Sequence, residues 1–138
     1  MNATVIKFGH PETLIAEYEH WVLLLRPAQP TLGSLVLAAK SDATAFGDLA
    51  PAAYAELAHV TAFIERTLAG FMHYERINYL MLMMVDPHVH FHVIPRYAEA
   101  RRWQDIEFLD IGWPGPPALG EAVTLTAEQI AALKREFS

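Results

Sequence analysis

"VDPHVHFHVIPRY", residues 85–97, decides how this chain is read. His88, His90 and His92, three of its seven histidines, stand at alternate positions, separated by Val89 and Phe91 and followed by Val93. A period of two is the pattern of a strand, so one face carries three imidazoles while the other offers apolar side chains to a core. A strand also holds reactive groups more accurately than a loop. The segment reads as a reactive face on a rigid apolar back.

Just before it, "RINYLMLMMV" (76–85) is apolar enough for a central strand and stops at Asp86-Pro87. It predicts a strand adjacent to the histidine strand (88–95), with Met81, Leu82, Met83 and Met84 in the core. Pro87 fixes φ near −65°, so a looser connection than a two-residue hairpin is expected. Further upstream, Tyr54, Leu57, Thr61, Ile64, Leu68 and Phe71 are spaced three and four apart, which predicts one long amphipathic helix over about 48–71 with Pro51 in its first turn. "HWVLLLR" (20–26) and "TLGSLVLAA" (31–39) predict two strands joined by a Pro-bounded turn. Beyond Tyr97, residues 98–122 read as an irregular arm that covers the domain, with Trp113 over the core. Thr126 and Gln129 have capping-box spacing and open a terminal helix over 126–137.

The whole chain, 138 residues without repeats or a linker, predicts a single domain over 1–138. It contains no cysteine, so disulfides, thiolate ligands and a thiol nucleophile are excluded and chemistry falls to histidine and carboxylates. Neither "WVLLL" nor "YLMLMMV" is long enough to span a bilayer, and the first residues lack the basic and apolar parts of a leader, so a cytoplasmic protein with no membrane partner is expected. With a formal charge of −6 and ten Lys plus Arg, attraction to a nucleic acid polymer is not expected. A small anion would need local donors. His10, His20, His59 and His73 are read as structural or solvent-facing.

Two chemistries compete for the three imidazoles. Zinc needs ligands converging at about 2.0 Å, whereas the outer pair, His88 and His92, is separated by about 13 Å along an unbent strand. No HExxH, CxxC or second HxH supplies the remaining ligands, so no metal is assigned. Nucleophilic catalysis fits better. Neutral imidazole attacks phosphorus and forms a phosphoramidate that water later cleaves, and a middle histidine has one neighbour to orient it and another to meet the phosphate.

"HVHFHVIPR" resembles the signature of the histidine triad family, and the similarity extends over about residues 15–97, through "LRPAQPTLGSLVLAAK" and the long helix. The resemblance implies an α+β fold, mainly an antiparallel sheet with one long helix and a short C-terminal helix, usually as a homodimer. It implies a hydrolase or transferase acting at the α-phosphate of a dinucleoside polyphosphate or nucleoside phosphoramidate, as in diadenosine polyphosphate hydrolases. His90 would be the nucleophile; His88 and His92 would orient it and bind phosphate oxygens. No cofactor is implied for the covalent step, though magnesium is compatible with a polyphosphate substrate. Arg26, Ser34, Asn78 and Arg96 are the candidate substrate-binding residues. Many members carry Gly-His where this chain has Gly33-Ser34, and a Gly-Gln loop where it has "MMVDPHVH". A non-catalytic nucleotide-binding or interaction protein on the same scaffold is therefore the alternative reading.

Overall fold

Strand geometry sends alternate side chains to the two sides of one antiparallel sheet, whose strands at 21–25 and 35–39 are apolar and buried on both faces. The computed structural model describes residues 1–138. In chain order the elements are α1 (Ala3–Lys7), β1 (Leu14–Glu17), β2 (Trp21–Leu25), β3 (Ala28–Gln29), β4 (Leu35–Ala39), a 3-10 turn (Phe46–Asp48), α2 (Pro51–Phe71), β5 (Arg76–Leu80), β6 (His90–Arg96), β7 (Arg101–Trp103), β8 (Ile106–Phe108), β9 (Val123–Thr124) and α3 (Ala127–Arg135). The main sheet has the order β1-β2-β4-β6-β5, and β3 with β9 and β7 with β8 make two small ribbons. This is an α+β arrangement. No helix is long and apolar enough to cross a membrane.

Trp21, Leu23, Leu25, Leu35, Leu37, Val89 and Val93 face one side and form the main core with Val60, Ile64 and Leu68 of α2. Val22, Leu24, Val36 and Ala38 face the other side, where Val5 of α1 completes a smaller cluster. Residues directly paired across strands share a face. Val36 pairs with His92 and Ala38 with His90, so the histidines belong to the α1 side, opposite the long helix.

The structure revises several expectations. The long helix begins at Pro51, in the first helical turn, and residues 46–48 form a separate 3-10 turn. Its inward residues are Ala53, Val60, Ile64 and Leu68, whereas Tyr54 is exposed. Ala53 takes the inward place because its carbonyl accepts the Trp21 Nε1–H bond at 2.8 Å, a close approach that a small side chain permits. β5 stops at Leu80 and lies at the sheet edge, while β6 is central. Residues 81–89 form the looser connection that Pro87 requires, with Met83 in the left-handed region at φ 54°. The methionine run is thus only partly core: Met81 and Met83 pack against it, but Leu82 and Met84 are exposed. The arm is not wholly irregular, because 101–108 folds as the β7–β8 ribbon. Trp113 lies outside the core cluster, its ring 6.0 Å from the Arg96 guanidinium carbon.

The two strands flanking the proline-rich turn pair antiparallel as expected, from Trp21↔Ala39 to Leu25↔Leu35. Within that turn Gly33 has φ +91°, and its N–H donates to Gln29 Oε1 at 2.8 Å. A side chain there would be strained and would press on Leu68. The terminal helix has the expected capping box between Thr126 and Gln129. Its regular residues end at Arg135 rather than 137.

Candidate active site

The site starts at the first histidine. His88 precedes the regular part of β6, in the bend that leads into it. Thr4 Oγ1 accepts the His88 backbone N–H at 3.3 Å and lies 2.9 Å from His88 Nδ1. One hydroxyl thus holds both the backbone and the ring of His88. The backbone carbonyl of His88 lies 2.7 Å from His90 Nδ1. A carbonyl only accepts, so neutral His90 must carry its proton on Nδ1 and keep a lone pair on Nε2. That is the tautomer a nucleophile attacking through Nε2 requires.

His90 and His92 project from the same face of β6 with ring centroids 5.1 Å apart. Phe8, just after α1, covers both, at 5.6 Å from His90 and 5.9 Å from His92. The two residues are only 2% and 8% exposed. The basicity of His92 is pushed down to about 4, chiefly by burial and further by the positive charge of Arg26. It is therefore neutral at pH 7. Its Nδ1 is buried without a partner, so Nε2 is the nitrogen left for a ligand.

These rings are not sealed off. A cavity of 350 Å³ reaches His90 and His92. Lys7 and Phe8 form one wall, residues 82–86 another, and Arg26 and Leu119 contribute from β2's end and the arm. Lys7 Nζ and Asp86 Oδ1 pair at 2.7 Å between the first two walls. A larger groove of 660 Å³ lies between α2, Trp103 and the C-terminal residues. It contains no histidine, so chemistry favours the smaller cavity.

The other sequence candidates divide. Arg26 lines the histidine cavity; its Nη1 donates to Ala28 O at 2.7 Å, and its Nε is buried with no partner. Burial lowers its pKa from the ordinary arginine value. Ser34 is fully buried within the turn, where Oγ donates to Thr31 O at 2.8 Å and accepts the Thr31 N–H, so it does not line the cavity. Arg96 and Asn78 are also elsewhere. Arg96 forms a bidentate pair with Asp110, at 2.7 and 2.9 Å, and donates from Nη1 to Asn78 Oδ1 at 2.8 Å. Both border a separate depression with Arg76 and Trp113. His88 is not among the cavity's lining residues. No group of three or more histidine, aspartate or glutamate side chains is arranged to hold a metal ion.

Thr4, Lys7, Phe8, Asp86 and Leu119 were not singled out in the sequence. Phe8 and Lys7 reach the histidines because α1 is tied across the sheet: Asn2 Oδ1 accepts from Val5 N, while its Nδ2 donates to Ala39 O and Ser41 O. Asn2 at an N-cap position was the only local signal of that helix.

No protein-family model and no curated protein matches the chain. Solved structures do. A histidine triad protein from Sinorhizobium meliloti superposes with a TM-score of 0.76 at 21% identity, covering 99% of this chain and 93% of that one. One from Marinobacter aquaeolei gives 0.75 at 19%, covering 100% and 92%. The Plasmodium falciparum diadenosine triphosphate hydrolase gives 0.68 at 11%, covering 92% and 74%. The chain has the histidine triad fold.

Proposed function

We propose that this protein is a nucleotide hydrolase or nucleotidyl transferase that works through a covalent nucleotidyl-His90. The observation that carries the reading is the bond between His90 Nδ1 and the His88 carbonyl, which leaves Nε2 as the free base of a residue lining the cavity. The Nε2 lone pair forms a bond to the α-phosphorus of a dinucleoside polyphosphate or nucleoside phosphoramidate. The bond from phosphorus to the leaving group breaks, and its electron pair departs with that group. The imidazole then carries positive charge, which the His88 carbonyl stabilises through Nδ1–H. Water attacks the adduct, the N–P bond returns its pair to Nε2, and the proton from water goes to solvent. A second nucleophile in place of water gives transfer instead.

In this reading His92, neutral because of its burial, donates from Nε2 to a phosphate oxygen, and Arg26 supplies a fixed positive charge beside it. His88 acts mainly through its backbone. The hydrolase named among the similar folds supports the choice of substrate class. The test is to incubate the protein with labelled diadenosine polyphosphate or an adenosine phosphoramidate, quench in alkali and look for label on protein. We expect an alkali-stable, acid-labile adduct that His90→Ala abolishes. Equal labelling and turnover by His90→Ala would overturn the assignment. Nucleotide binding without an adduct or turnover would favour a binding protein.

A further inference from the structure

Lys7 comes from the far end of the chain, yet it lines the same cavity as His90 and His92. Its side chain is half exposed and meets Asp86 Oδ1 at 2.7 Å, while Asp86 is largely buried in the connection before β6. Asp86 is the only carboxylate of the cavity wall; Lys7 and Arg26 are its two permanent cations. The pair is therefore not an isolated surface bridge. It connects the N-terminal wall to the 82–86 wall beside the imidazoles of His90 and His92. The ammonium can rotate about its four-carbon stem without moving α1, which guanidinium Arg26, tied to the Ala28 carbonyl, cannot do as freely.

An incoming phosphate competes with Asp86 for that ammonium. A phosphoanhydride has several anionic oxygens and takes up more positive charge than one carboxylate can. The chain is acidic as a whole, so the needed attraction must be local.

We propose that Lys7 is a phosphate-contacting residue of this site, and that Asp86 holds its ammonium until a phosphoanion displaces the carboxylate. This deepens the nucleotide reading above and rests on it for the organic part of the ligand. On binding, Lys7 exchanges one anionic partner for another, and Asp86 remains as a negative charge that limits affinity and favours release. Lys7 stands on the wall that meets the 82–86 connection, the region where a Gly-Gln loop is absent, and provides the positive charge the phosphates or leaving group meet there.

The test is a double-mutant cycle in binding, with ADP, adenosine and inorganic pyrophosphate as probes, on the full chain and with thermal melting to verify folding. Asp86→Asn frees Lys7 and is expected to tighten ADP and pyrophosphate about threefold. Lys7→Met removes the cation, exposes Asp86 to the phosphates and is expected to weaken them about tenfold or more. Lys7→Arg is expected to recover most of the loss. Adenosine binding is expected to stay unchanged throughout. The decisive comparison is Asp86→Asn against the Lys7→Met/Asp86→Asn double variant. If both bind ADP and pyrophosphate equally well, Lys7 only pairs with Asp86 and the proposal is wrong. Pyrophosphate binding with the expected order but no affinity for ADP would keep Lys7 as a phosphate ligand while refuting the nucleotide reading. Binding of neither probe by the parent and Asp86→Asn proteins would refute both.

Discussion

The burial of His92 has a measurable effect on stability. Its basicity falls from the ordinary 6.5 to about 4 because the folded chain removes the ring from water next to Arg26. Between these values the unfolded chain binds a proton that the native protein excludes, so stability rises with pH across the window and falls as pH drops through it. At about 1.4 kcal/mol per tenfold change in proton affinity, the whole effect is about 3 kcal/mol, of which about 2 kcal/mol is lost between pH 7.5 and pH 5. That is a large part of the stability of a domain this size. The chain carries other ionisable groups, so the measurement must be a difference. Urea unfolding of the parent and of His92→Gln at pH 7.5, 6.5, 5.5 and 5 isolates the term: the parent should lose about 2 kcal/mol more than the variant. Parallel pH profiles for the two proteins, or a His92 ring resonance titrating near 6.5, would refute the reasoning.

Three further substitutions test the frame around the site. Asp110→Ala leaves the Arg96 guanidinium buried without its bidentate partner and should cost about 3 to 5 kcal/mol in urea unfolding, while leaving ligand affinity at the histidine cavity little changed. Thr126→Ala removes one half of the α3 capping box and should lower stability by about 1 kcal/mol in the same assay. Thr4→Val preserves shape but deletes the hydroxyl held against His88, so we expect native folding by circular dichroism together with slower labelling of His90; unchanged labelling would show that Thr4 does not help to place the His88 carbonyl.

The parts of this molecule visible in its sequence were those with a regular period. The alternation from His88 to Val93 gave the central strand and its two faces, and the spacing of Ile64 and Leu68 gave the long helix. The wall over the histidines lacked any such pattern. α1 has five residues, too few to form by itself, and exists because Asn2 bonds to carbonyls 37 and 39 residues away. Residues 81–85 misled for the opposite reason: their apolar composition suits a strand, yet Met84 and Val85 are 84% and 83% exposed on a connection constrained by Pro87. Arg96 is a substrate-binding candidate in the sequence. Its guanidinium is instead consumed by Asp110, an interaction between segments that no local reading of the sequence reveals.

The covering of His90 and His92 by Phe8 also divides the chain's imidazoles by chemical accessibility. His59 and His73 face solvent, whereas the pair in the cavity is nearly enclosed. An acylating reagent commonly used to diagnose essential histidines will therefore consume the peripheral rings first. If the proposed activity runs through His90, its loss will lag behind total modification, and a bound phosphate compound will shield only the slow fraction.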